Sequence, residues 1–147
     1  MRGAKRHRAY KGLTLVELLV VVIIVGVLAA TALPNFFGAS TKAKESGVKI
    51  NAHTTHVAVE SYATDHSGVY PTAVGDFTYY FPGGDGPAGS QQGDQLKNPF
   101  DNSMAYPTDG SAAGTQGEIG YQPDLPRPGA YTVTGYGQSA TIITLQP

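Results

Sequence analysis

From Leu13 to Leu33 the chain reads LTLVELLVVVIIVGVLAATAL, and only Thr14, Glu17 and Thr31 place polar side chains in this run of 21 residues. As a helix it would be roughly 32 Å long at about 1.5 Å per residue, which matches the hydrocarbon thickness of a bilayer. With this segment and its leader set aside, little more than a hundred of the 147 residues remain, enough for one small head.

Three readings compete for the apolar run. A secretory signal peptide also starts basic, but its apolar core spans only about 7–15 residues before a small-residue cleavage site. The stretch Val27-Leu28-Ala29-Ala30-Thr31-Ala32 imitates such a site, yet the run around it is too long. A plain membrane anchor accounts for the length and for the basic flank, since Lys and Arg before a span keep that end cytoplasmic. It does not account for Glu17, because a carboxylate in an inserted helix costs on the order of 2.5–3.5 kcal/mol near the centre, less near the interface.

The third reading starts at Gly12. Lys11-Gly12-Leu13-Thr14-Leu15-Val16-Glu17-Leu18, behind a leader carrying Arg2, Lys5, Arg6 and Arg8, closely resembles the leader-cleavage motif of type IV prepilins. In that family a membrane peptidase cuts after the glycine and the new N-terminus is methylated. The resemblance therefore implies cleavage between Gly12 and Leu13, N-methylation of Leu13, and assembly roles for Thr14 and Glu17. The chain departs from the family at Leu13, where Phe is most frequent.

The residues supply their own logic for such processing. Cleavage would remove the basic block, keep the apolar segment and create a free ammonium. Glu17 lies about 6 Å further along the helix axis, within reach of the amine of a staggered neighbouring helix. Pairing the two charges would set axial register, because a helix out of step leaves an uncompensated buried charge at a cost of several kcal/mol. Gly26 and Ala30 form a small-x-x-x-small pair suited to close helix approach. Pro34 lacks an N–H and crowds the carbonyl of Ala30, which predicts a kink or local opening between about Gly26 and Pro34. Pilins have breakers at the same separations from the cleavage site.

Residues 35–67 read as a helix continuing to about Asp65. Val48, Ala52, Val59, Tyr62 and Ala63 share one broad face, predicted to pack on a sheet. Lys49, His53, His56 and Glu60 fall opposite and read as a solvated polar face. The spacing of His53, His56 and Glu60 also admits a metal site, although no HExxH arrangement supports one. His66 suits a helix C-terminus and Gly68 ends the helix. The segment from Tyr62 through Asp65 and Gly68 to Tyr70-Pro71 again resembles pilins and the major pseudopilins of type II secretion, which extends the resemblance across about half the chain.

Beyond it the sequence offers pattern alone. Phe77-Thr78-Tyr79-Tyr80-Phe81 reads as a short strand, Pro82–Gln95 as a Gly/Ser/Gln-rich connection, and Asn98-Pro99-Phe100-Asp101 as a turn that docks Phe100. Residues 118–122, 131–136 and 140–145 alternate β-branched and aromatic side chains between Gly- and Pro-rich turns, the pattern of an antiparallel meander. Asp101, Asp109, Glu118 and Asp124 sit in or beside loops. The resemblance to major pseudopilins would permit calcium there, but no EF-hand spacing is present, so no cofactor is expected.

Composition narrows the function classes. The formal charge of −1 hides an uneven distribution: removal of residues 1–12 leaves five basic against eleven acidic residues, a side-chain charge of −6. Such a chain is no candidate for binding nucleic acid through bulk electrostatics. Cysteine is absent, and neither a nucleophile with its base nor a GxSxG or zinc signature is present, which argues against an enzyme.

The expected organisation is a leader at 1–12, a transmembrane or filament-core helix at 13–34, an amphipathic continuation at 35–67 and a globular head at 68–147. The fold class is α+β: a long N-terminal helix whose C-terminal half packs on a three- to four-stranded antiparallel sheet. The resemblance implies a pilus subunit that polymerises with itself from the inner membrane to the cell surface. Its partners would be the prepilin peptidase, an assembly platform with its cytoplasmic ATPase, and minor pilins. The alternatives are a major pseudopilin in a periplasm-spanning fibre and, in a different class, a membrane-anchored binding module that does not polymerise.

Overall fold

A computed structural model describes residues 12–112, 114–124 and 129–147; the leader residues before Gly12 lie outside the described residues. The chain forms two compact units, one ending at Ala39 and the other comprising Ser40–Pro147. One helix, α1 (Leu15–Asp65), contributes to both. The architecture is the expected α+β one.

In the first unit α1 is apolar and bare. Leu15, Val16, Leu18 to Val25, Val27, Leu28 and Leu33 all expose half or more of their surface or close to it, and no residue of the most apolar stretch is buried. Helical structure runs without interruption through Gly26 and Pro34, so the predicted local opening is not present. One missing N–H and one crowded carbonyl can be absorbed within a helix, as they are in many membrane helices.

The second unit buries the other end of α1 against a sheet. Val48, Ala52, Val59 and Ala63 are buried as predicted, joined by Thr55 and Ala58. Thr55 turns its hydroxyl back onto the Asn51 carbonyl at 3.0 Å, so burial strands no polar atom. The helix ends where expected: Ser67 and Gly68 adopt φ of 58° and 85°, and the Gly68 N–H reaches the Ala63 carbonyl at 2.7 Å. This left-handed exit is the reason for a glycine there. His66 stacks on Tyr62 at 3.8 Å and its Nδ1 lies 2.9 Å from the Tyr62 carbonyl.

Residues 77–81 correct the sequence reading. They form no strand; Val74–Phe77 is a short helix, α2, continued by a 3₁₀ turn at Thr78–Tyr80. Asp76 explains the difference, because its Oδ2 accepts the Thr72 N–H at 2.9 Å, the Thr72 hydroxyl at 3.0 Å and the Ala73 N–H at 3.0 Å, capping the turn. Phe77 and Phe81, four residues apart, then stack at 5.8 Å in the core, a helical spacing inside an aromatic run. A second 3₁₀ turn occupies Gly86–Ala88.

Two sheets follow. The strands β1 (Leu96–Lys97) and β2 (Met104–Ala105) form a two-residue antiparallel ladder around the turn that half-buries Phe100, with the Lys44 ammonium 5.5 Å from its ring centre. The main sheet has four strands in sequential order: β3 (Thr108–Asp109), β4 (Ile119–Pro123), β5 (Tyr131–Tyr136) and β6 (Thr141–Leu145). The last three make the predicted meander, but β3 runs parallel to β4, so the sheet is mixed. Gly120 shows what holds β3 in place: a Cβ there would lie 2.1 Å from the Ala112 nitrogen, so only glycine lets the returning chain pass so close.

The core lies between this sheet and α1. Val48, Val59, Phe77, Phe81, Ile119, Tyr121, Tyr131 and Val133 are buried in one cluster, each large side chain worth about 1.5–3 kcal/mol relative to exposure. The Tyr121 hydroxyl, buried, donates to the Pro71 carbonyl at 2.6 Å. Burial pushes the phenols of Tyr121 and Tyr131 well above their ordinary titration range.

Candidate functional site

The start of α1 is built by two side chains. Thr14 is the N-cap: its Oγ1 accepts the Glu17 N–H at 3.2 Å, and Glu17 Oε2 accepts the Thr14 N–H at 2.8 Å and the Thr14 hydroxyl at 2.7 Å. This reciprocal arrangement is a capping box, and the acidic side chain also favours the positive end of the helix dipole. The first helical bond, Leu18 N–H to the Thr14 carbonyl at 3.2 Å, follows from it. The Thr-x-x-Glu signal stands in the sequence, and reading Glu17 only as an assembly group passes over it.

The geometry leaves part of Glu17 unused. Among the described residues no donor reaches Oε1, while Leu13, Leu15, Val16 and Leu18 around it expose 59–79% of their surfaces. A carboxylate with one oxygen held locally and the other facing outward in an apolar surround can accept a cation from outside the chain. A Cβ added at Gly12 or at Gly26 would meet nothing among the described residues, so packing there does not call for either glycine. Ala30 is likewise exposed on α1.

A second polar cluster lies in the head and corrects the reading of a solvated face. His56 and Glu60 are half-buried and face β5, where the Tyr131 hydroxyl lies 2.6 Å from Glu60 Oε1 and 2.7 Å from His56 Nδ1. A phenol has one proton; with it on Glu60, the oxygen accepts from His56, which places a proton on Nδ1. Tyr70 adds a bond from its hydroxyl to Glu60 at 3.3 Å, and its ring packs 4.8 Å from that of Tyr131. The carboxylate beside them is a further cause, after burial, of the raised Tyr70 and Tyr131 phenols. Lys49 and His53 are exposed, and His53 lines a separate groove with Ile50, Thr54, Val57, Tyr80 and Pro82. His53, His56 and Glu60 therefore do not converge.

The four loop acids are engaged separately. Asp101 accepts the Ser103 hydroxyl at 2.7 Å and N–H at 2.8 Å, which hold its carboxyl below the usual carboxylate range. Asp109 accepts the Val74 N–H at 2.7 Å, and Glu118 accepts the Thr108 hydroxyl at 2.8 Å. Asp124 is exposed. Among the described residues no three His, Asp or Glu side chains gather as a metal shell would require.

Comparison with known proteins points to the start of α1. The family described as the prokaryotic N-terminal methylation motif matches residues 7–33. The type IV major pilin protein PilA of Myxococcus xanthus is 37% identical over 65 residues, covering 44% of this chain and 30% of that protein. The type II secretion system core protein G of Vibrio cholerae is 38% identical over 68 residues, 46% of each chain. The type IV major pilin protein PilE of Neisseria gonorrhoeae is 41% identical over 61 residues, 42% of this chain and 36% of that one. The chain thus spans less than half the length of the curated relatives it matches. No solved structure matches it significantly. Over its N-terminal stretch, which opens on the Thr14–Glu17 cap and the exposed apolar helix, the chain carries the N-terminal methylation motif and is similar to type IV major pilins and to type II secretion core protein G.

Proposed function

We propose that the chain is a structural subunit, a major pilin, that is cut after Gly12, methylated on Leu13 and polymerised through its apolar helix into an extracellular type IV pilus-like filament. The observation that carries this reading is the stretch of α1 from Leu15 to Phe37, mostly apolar and exposed among the described residues, with a single carboxylate one turn from its start. A membrane supplies the cover before assembly, and copies of the same helix supply it afterwards. Glu17 Oε1 receives the Leu13 ammonium of a neighbour, so that neither charge is left alone in the filament core. Gly26 and Ala30 let neighbouring helices approach, and Pro34 with Gly26 marks where the segment yields in the filament.

The peptidase that trims the leader, an inner-membrane platform driven by a cytoplasmic ATPase, and minor pilins are the partners this function requires. A pseudopilin is the second reading, favoured by the likeness to core protein G, which covers as large a share of this chain as any relative named above. Electron microscopy of sheared cell-surface material, with immunogold against the head, decides between them. Long surface fibres carrying the label establish the pilin. Label confined to the cell envelope in cells that make no such fibres establishes the pseudopilin.

A further inference from the structure

The C-terminal end of α1 closes on a groove that no step of the proposed assembly uses. Tyr62, His66, Asp76, Tyr79, Tyr80 and Pro87 line it, and its volume is about 260 Å³. The Tyr62 and Tyr80 rings stand 5.6 Å apart at 73°, so they form two walls near a right angle. His66 stacks on Tyr62 at 3.8 Å, and its Nδ1 against the Tyr62 carbonyl at 2.9 Å fixes that stack. The three tyrosines are half-buried, whereas His66, Asp76 and Pro87 are exposed, so the groove is open to a ligand from solvent.

The charge around it is one-sided. Between Lys49 and Lys97 the chain has no Lys or Arg, whereas Glu60, Asp65, Asp76, Asp85 and Asp94 all fall in that interval. The last turn of α1 carries no basic residue, so its carbonyl groups present the negative end of the helix dipole. Burial first, and then the charges of Asp76 and Asp65, push the phenols of Tyr62 and Tyr80 above their ordinary range, which puts both carboxylates close to the two walls. Among the described residues Lys44 sits over Phe100, and no Lys or Arg sits over Tyr62, Tyr79 or Tyr80.

We infer that this groove binds a quaternary ammonium cation of the choline type. The face of an aromatic ring is electron-rich and attracts a cation laid against it, most strongly where water is displaced. A trimethylammonium group suits walls of tyrosine because it gives up no hydrogen bond on leaving water, whereas a lysine ammonium brings three donors that need acceptors. A sugar is the poorer fit: the groove offers no Asn, Gln, Lys or Arg side chain to pair with its hydroxyls. Asp76, one oxygen of which is held by Thr72 and Ala73, adds fixed negative charge. The free cation and the headgroup of a choline lipid present the same group to this site. The site is independent of the filament reading, since every residue in it belongs to the head.

The test uses the full chain in dodecyl maltoside, a detergent without an ammonium group, at about pH 8, where ordinary imidazoles are neutral. Tyrosine ring signals are followed by NMR during titration with choline, with dimethylbutanol as its uncharged carbon isostere, and with glycerophosphocholine. Choline is expected to shift the signals of Tyr62, Tyr79 and Tyr80 saturably, and dimethylbutanol to bind about tenfold or more weakly. Glycerophosphocholine separates the two sources of the cation. Weaker binding than choline assigns the site to the free cation, because the acidic surround repels the phosphate, and equal or tighter binding assigns it to a lipid headgroup. Tyr62→Leu keeps an apolar wall without the ring and is expected to weaken choline binding about tenfold with circular dichroism unchanged. Asp76→Asn keeps an oxygen for the Thr72 and Ala73 N–H groups and is expected to weaken it about fivefold. Glu118→Gln, the same change of charge away from the groove, is expected to leave it unaltered. Equal binding of dimethylbutanol and choline, shifts confined to other tyrosines, or saturable binding of methyl glucoside in place of choline overturns the assignment, and each leaves the filament reading standing.

Discussion

The segment Leu13–Phe37 and the cluster around Tyr121 are both rich in apolar side chains, yet they follow opposite rules. In the head, Tyr121, Tyr131, Phe77 and Phe81 are almost fully buried, and the polar groups they carry find partners inside the chain. In the N-terminal helix the apolar side chains are exposed, and among the described residues a donor reaches only one oxygen of the carboxylate among them. The head is finished by its own sequence. On the proposed reading the helix is completed by a membrane or by other copies, and changes in the two regions should then separate into effects on folding and effects on assembly.

The largest expected effect falls on processing. Gly12→Val is expected to leave the leader attached in essentially all molecules, because a Cβ there would meet nothing among the described residues and, on the proposed reading, the demand for glycine comes from the peptidase; intact mass of the membrane fraction checks it. Next comes Glu17, where two substitutions sharpen the comparison. Glu17→Ala removes both the cap and the charge, whereas Glu17→Gln keeps a group able to close the capping box. Both are expected to be cleaved normally and to lower fibre yield by roughly a hundredfold, since a neighbour's ammonium would be left unpaired in an apolar bundle at a cost of about 3–5 kcal/mol. Wild-type fibre yield from the glutamine variant would show that the cap, and not the charge, is what assembly needs.

Effects confined to the head are smaller and act on stability. Tyr131→Phe removes the bonds to Glu60 and His56 and is expected to cost about 1.5–3 kcal/mol in urea unfolding, with leader cleavage unchanged. Alkali probes the same region. The phenols of Tyr121 and Tyr131 titrate above their ordinary value of 10.0, so the folded head holds their protons more tightly than the unfolded chain. Their contribution to stability is complete below about pH 10 and falls progressively as pH rises beyond it. Unfolding midpoints measured from pH 8 to 11 should be flat and then decline, and the decline should be shallower in Tyr131→Phe. Least of all, Asp76→Ala removes the cap of α2 and is expected to cost about 1 kcal/mol.

The two regions were also unequally legible. The apolar run, the end of α1 at Asp65 and the three antiparallel strands could be read because each is written in local pattern: a long apolar stretch, a glycine in the left-handed region, an alternation of β-branched residues. The strand expected at residues 77–81 failed because five consecutive aromatic and hydroxyl residues carry β propensity, while the helix depends on Asp76 four residues after Thr72. His56 and Glu60 were read as solvated because the angle from the buried stripe says nothing about how far a sheet wraps around a helix. Their partner, Tyr131, is 75 residues from His56 in sequence. The parallel strand β3 has two residues and leaves no pattern at all. At the candidate site, Gly12, Leu13 and Glu17 lie within six residues of one another and could be named without a fold, whereas the hold of Thr14 on one oxygen of the Glu17 carboxylate is visible only in the structure.

The most direct test of the account is the intact mass of the subunit recovered from sheared surface fibres. A single species is expected, one that begins at Leu13 and carries one added methyl group on its amine. A subunit that still carries Met1–Gly12, or one cut after Ala32 as a secretory signal would be, contradicts it.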